Sequence, residues 1–120
     1  MKVVNLMKHA CTIKRDGYEV TIKPSGEEAV VETDEERVGM RIVSEGDIRL
    51  QVPIMKRTFG KVTGLPCPKK GTIYLVSSIV LAAVPERNDV FAPDTGPTAE
   101  RKKKGPQKGH VLSVRRLIGN

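Results

Sequence analysis

Tyr18-Glu19-Val20-Thr21-Ile22-Lys23 alternates apolar and polar side chains with a period of two, and Ile48-Arg49-Leu50-Gln51-Val52-Pro53-Ile54 repeats the pattern. A strand sends successive side chains to opposite faces, so this period suits a strand with one face turned to a core and does not suit a helix. Tyr18, Val20 and Ile22 are therefore expected on the inner face of a half-buried strand. Asp16-Gly17 separates it from Cys11 to Lys14, which predicts a hairpin over 11–23 around a tight turn. Short strands are expected at 28–33 and 39–44. Another covers 48–54, with an edge or bend at Pro53, and a further one runs from Lys56 to Thr63, interrupted at Gly60. His110 to Leu117 supplies a last strand, after which Gly119-Asn120 frays.

One stretch breaks the rule. Thr72 to Val76 is apolar and β-branched, as a buried strand is, but Ile79 to Val84 loses the alternation. A short helix near 77–84 accounts for the change, capped by Ser77 or Ser78 and stopped at Pro85. The predicted fold class is thus mainly β (α+β), a small curved sheet or barrel with one helix packed on it.

A length of 120 residues fits a single domain, 1–120. Its core must be aliphatic, because aromatic residues make up 3% and tryptophan is absent. A core of that kind gains from burial between subunits, so a homo-oligomer is expected. Lys and Arg exceed Asp and Glu to give a formal charge of +7. The excess is local: Arg101, Lys102, Lys103, Lys104 and Lys108 crowd a proline- and glycine-rich stretch, read as a flexible loop at about 94–109, whereas 27–36 is acidic. That loop carries no aromatic residue to stack on a base.

Cys11 and Cys67 lack CxxC spacing and His9 and His110 complete no metal set, so neither a metal nor a cofactor is expected. No signal peptide or membrane span is read in the chain, which implies a cytoplasmic protein with reduced thiols and no membrane partner.

The candidate site is the end of the strand–helix junction. Ser77 and Ser78 cap a helix, and a helix start also presents amides suited to an anion. Arg87 and Asp89 follow it. Such a pair braces a loop, yet arginine also grips phosphate with two parallel bonds and aspartate accepts from ribose hydroxyls. Arg115 would join them if the last strand lay beside Thr72 to Val76. His9 stands beside a strand, more commonly as a structural residue than as a catalyst. No P-loop and no nucleophile-elbow sequence is present, so no catalytic residue is assigned.

Three stretches together resemble a family of small proteins from bacteriophages, prophages and actinobacteria. Its N-terminal Asn-Leu-Thr-Pro-His stands here as Asn5-Leu6-Met7-Lys8-His9, with Met7 and Lys8 departing from it. Its Gly-Leu-Pro loop and Gly-Thr-Ile-Tyr-x-Val-Ser-Ser motif stand as Gly64-Leu65-Pro66 and Gly71 to Ser78. Its third part matches Pro85, Arg87, Asp89-Val90 and Pro93, and its closing strand Val114-Arg115-Arg116-Leu117. The segment Glu100 to Lys108 is peculiar to this chain. The resemblance implies a phage setting, hence the host cytoplasm, and no settled activity.

The expected function is a non-enzymatic phage or prophage accessory protein that binds a small anionic, nucleotide-like ligand through Ser77, Ser78, Arg87, Asp89, Arg115 and His9, by analogy a sequestered immune signal. The alternatives are a nucleic-acid or protein-binding module using Arg101 to Lys108, and a nucleotide hydrolase or lyase.

Overall fold

A computed structural model describes residues 1–120. Ten strands and one helix follow in order: β1 Lys2–Asn5, β2 Cys11–Arg15, β3 Tyr18–Ile22, β4 Val30–Glu45, β5 Ile48–Thr63, β6 Thr72–Leu75, α1 Ser78–Ala83, β7 Val90–Pro93, β8 Glu100–Arg101, β9 Val111–Ser113 and β10 Leu117–Gly119. The protein is mainly β with one short helix. Its sheets stay open, so the barrel form of that expectation is not found. The 120 residues contain two compact units, a body of 1–30 with 62–120 and a hairpin unit of 31–61.

The body is built on a four-stranded sheet in the order β1-β6-β7-β10. β6 runs parallel to β1 and to β7, and β10 closes the other side antiparallel to β7. Thr72, Tyr74 and Leu75 of β6 are buried, with Val76 after them, as a near-continuous apolar run in a parallel sheet requires. α1 carries the chain from β6 to β7 and buries Val80 and Leu81. Leu75 meets Cys11 and Val114 in the core, with Ile13, Ile22, Phe91 and Leu117 packed around them.

Asp16 and Gly17, at φ 53° and 80°, make the tight turn of the β2–β3 hairpin, whose pairs run from Arg15↔Tyr18 to Cys11↔Ile22. Its expected half-buried face is corrected. Tyr18 is 79% and Val20 58% exposed, because the hairpin reaches the core through Cys11, Ile13 and Ile22 and leaves the turn half of β3 outside. The expected last strand is corrected as well. It splits into β9, paired with β8, and β10, paired with β7. Arg116 sits at the break, where its Nε donates to Asp94 Oδ2 at 2.6 Å and Asp94 N donates to the Arg116 carbonyl at 3.0 Å. Asn120 does not fray: its Nδ2 donates to the carbonyls of Val84 at 2.7 Å and Leu81 at 3.2 Å, at the end of the helix.

The four short strands expected between 28 and 63 are two strands of 16 residues each, joined by Gly46-Asp47 with Gly46 at φ 57°. A two-residue connection can join only antiparallel neighbours. Each arm is roughly 50 Å long at the rise of an extended chain. The charged run 32–37 and Pro53 do not interrupt them. In a ribbon whose outer edges are unpaired, a proline can leave its missing N–H on the open side. Gly64, in the body, is fixed by space: at φ 78° it packs so close to Glu28 that a Cβ would lie 2.1 Å from the Glu28 carbonyl oxygen.

Candidate functional site

The helix start is a cap. Ser77 is extended, and its hydroxyl accepts from Val80 N at 3.4 Å, which settles which serine caps. Ser78 is the first helical residue and exposed. α1 has six residues, so few aligned peptide dipoles stand behind its start.

Arg87 and Asp89 satisfy each other. Nε and Nη2 of Arg87 donate to the two carboxylate oxygens at 2.8 and 2.9 Å, and Nη2 also donates to the Pro66 carbonyl at 2.9 Å. The side chains are only 15% and 14% exposed. The pair pushes the Asp89 carboxyl below its ordinary value and the Arg87 guanidinium above its own. This is a brace that ties the Gly-Leu-Pro loop to the start of β7. The sequence offered that reading beside the ligand-binding one, and the geometry supports the brace.

Arg115 is elsewhere. It borders a shallow depression with Lys14, Arg15 and Tyr18 at the β2–β3 turn. The condition for its joining Arg87 fails, since β10 pairs with β7 and the closing segment never lies beside β6.

His9 is held by Asn5, a fully buried polar residue. Asn5 Nδ2 donates to the carbonyls of His9 at 2.9 Å and Ile22 at 3.0 Å, while its Oδ1 accepts from Met7 N at 2.9 Å. One amide thereby closes the turn 5–9 and anchors it to β3. The turn delivers His9 to a cleft of about 470 Å³. Around it stand His9, Thr12, Thr95, Arg101, His110 and Ser113, with Met7, Ala10, Pro93, Val111, Leu112 and Val114 supplying the apolar walls. Both histidines of the chain are present, and no carboxylate lines the space.

Hydrogen bonds fix Arg101, Ser113 and the Thr95 turn at the cleft. Asp94 Oδ1 accepts from Gly96 N at 3.0 Å, a turn that sets Thr95 in place, and this bond with Arg116 lowers the Asp94 carboxyl below its ordinary value. Arg101 donates to the Gly109 carbonyl at 2.8 Å and to the Thr95 carbonyl, so it ties both walls and has no acidic partner. Ser113 Oγ donates to Glu100 Oε2 at 3.1 Å, and Lys14 and Ser113 together lower the Glu100 carboxyl. Cys11 lies buried at the floor, and burial pushes its thiol up.

The basic stretch is tied along its length. β8 pairs with β9, Lys102 N donates to the His110 carbonyl at 2.9 Å, and Gly109 N to the Lys102 carbonyl at 2.8 Å. Lys103, Lys104 and Lys108 are exposed, Lys102 half-buried. Of the basic group, Arg101 alone lines the cleft. Sequence reasoning missed this site because segments 7–12, 93–101 and 109–114 meet only in the fold. The recurrence of the chain's two histidines at opposite ends of the sequence was the available signal.

No three His, Cys, Asp or Glu side chains gather as a metal site, and no helix is long and apolar enough to cross a membrane. Comparison of the chain with family models, with curated proteins and with solved structures finds no match.

Proposed function

We propose that this is a non-enzymatic binding protein that takes a small organic anion, nucleotide-like in having a flat apolar part and a negative group, in the cleft between the His9 turn, Thr95 and the β8–β9 hairpin. One observation carries the reading: Arg101, His9 and His110 border the cleft and no carboxylate does. A concavity lined by cation-forming groups and no carboxylate favours negative charge, and its size falls in the range of small-molecule sites. The apolar walls suit a base or another flat body. Binding without turnover is supported by Cys11, whose raised pKa disfavours the nucleophilic thiolate. In the phage setting that the resemblance implies, the protein works by holding a nucleotide-type signal in its host.

The test is a thermal-shift and calorimetry series with mono-, di- and cyclic nucleotides. A ligand that binds only the folded chain raises the melting temperature. For the best ligand, His9→Ala, His110→Ala and Arg101→Ala are each expected to weaken binding about tenfold or more, the order of one charge-assisted hydrogen bond. Lys103→Ala and Arg87→Ala are expected to leave it within about twofold, since neither side chain lines the cleft. No shift with any nucleotide at millimolar concentration overturns the reading. A larger effect of the lysines, with steep salt dependence, transfers it to nucleic acid. Turnover lost in His9→Ala transfers it to a hydrolase or lyase.

A further inference from the structure

The β4–β5 hairpin leaves large apolar side chains exposed on both sides of a sheet. Val38, Met40 and Ile42 share one face of β4, and Ile48, Leu50, Val52 and Ile54 share one face of β5. Val43 of β4, and Met55 and Phe59 of β5, lie on the opposite faces of their strands. Exposure reaches 63% at Ile48, 59% at Ile42 and 58% at Leu50. A two-stranded hairpin is marginal in water by itself, and monomeric proteins rarely leave a large contiguous apolar surface bare.

Charge indicates what covers it. Within 31–61, six acids, Glu32, Asp34, Glu35, Glu36, Glu45 and Asp47, are balanced by six bases, Arg37, Arg41, Arg49, Lys56, Arg57 and Lys61. The formal charge of +7 therefore lies wholly in the body. A polyanion would be drawn to the body, and nothing in the hairpin selects a partner of either sign. At the end away from the turn, the acidic part of β4 is already matched across the hairpin, where Arg57 pairs with Glu35 at 3.2 Å. Around the turn the charges are sparse and balanced, Arg41 and Arg49 against Glu45 and Asp47. Such a surface can meet its own copy with opposite charges in equal number. Within 38–55 eight large apolar side chains stand 40–63% exposed, divided between the two faces of the ribbon, so both faces together approach the ~800 Å² per partner of a standard interface.

We infer that the turn-proximal half of this hairpin, residues 38–55, is a self-association surface that packs against the same hairpin of a second copy. The contact is isologous, hairpin against hairpin with both apolar faces taking part, and independent of any ligand in the cleft.

Light scattering of the full chain at micromolar concentration tests it. The expected mass is at least twice 13.2 kDa, and Leu50→Glu with Ile54→Glu, two exposed positions on one face of β5, is expected to return it to 13.2 kDa with an unchanged circular-dichroism spectrum. Tyr18→Glu, a more exposed change in the β2–β3 hairpin, should leave the assembly intact. Hydrogen exchange of the wild-type chain needs no substitution and should slow across 38–55 as concentration rises. A wild-type mass of 13.2 kDa throughout, or an assembly untouched by the double change, overturns the inference, as does exchange independent of concentration. Binding of a monomer to anionic vesicles through these residues would do the same.

Discussion

β6 is four residues long and three of them are buried, whereas β4 and β5 have sixteen residues each and none is buried. The two regions share residue types, Ile, Leu and Thr, in the same backbone conformation. What separates them is layering. β6 has a neighbouring strand on either side and α1 nearby in sequence, so each apolar side chain displaces water from several others. The hairpin has one neighbour per strand and its strands persist on backbone pairing and β-branched sterics alone. Strand formation and core formation are thus separable in this chain, and a substitution of one kind should have different consequences in the two places.

The widest contrast is between two leucines. Leu75 is fully buried, so Leu75→Ala removes packed methyl groups and leaves a cavity; the expected loss is about 3–4 kcal/mol in urea unfolding. Leu50 is 58% exposed, and Leu50→Ala in dilute, monomeric protein is expected to change stability by less than about 0.5 kcal/mol. Equal losses at both sites would show that the hairpin face is packed in the monomer, and would break the contrast.

The brace of the body comes next. Arg87→Ala leaves Asp89 with its charge in a poorly solvated place, and the expected loss is about 2–3 kcal/mol at neutral pH. The pH dependence follows from the sign of the shift. Asp89 is lowered from an ordinary value of 3.8 by its bonds to Arg87, so this contribution is fully present above that value and is lost as pH falls through the lower, folded one. Asp94 and Glu100 are shifted the same way. Wild-type stability should therefore fall as pH drops below about 4, and the fall should be shallower in Arg87→Ala. Parallel pH profiles for the two proteins would contradict the assignment.

How far the sequence carried differs between the same two regions. In the body, Thr72–Val76 announced a buried strand, Ser77 and Pro85 bounded the helix, and Asp16-Gly17 dictated a hairpin, because each signal is local. The hairpin unit was cut into four pieces because Asp34 to Arg37 and Pro53 look like breaks when burial is assumed to organise a strand. An exposed ribbon does not need the alternation. The cleft was invisible for a different reason: its walls come from three distant segments, and the residue that presents His9, Asn5, acts through three backbone groups that no spacing reveals.

The helix start gives a smaller effect inside the body. Ser77→Ala removes the cap bond to Val80 N and should cost about 1 kcal/mol, while Ser78→Ala, at an exposed first helical position, should cost a few tenths at most. Equal costs would mean that the cap is shared between the two serines.

The smallest effect returns to the hairpin and uses the same chemistry as the brace. Arg57 pairs with Glu35 at 3.2 Å, an arginine and a carboxylate as in Arg87–Asp89, but both side chains are 53% exposed. Water already solvates each charge, and holding two long side chains in one geometry costs rotamer freedom, so the pair contributes only a few tenths of a kcal/mol and less at high salt. Arg57→Ala should accordingly shift the urea midpoint of dilute protein by an amount close to the error of the measurement. Its effect on assembly should also be small, because the pair lies outside residues 38–55. If Arg57→Ala instead destabilised the monomer as strongly as Arg87→Ala, the hairpin pair would have to be desolvated in solution, and the distinction between a layered body and an uncovered ribbon would fail at its most exposed point.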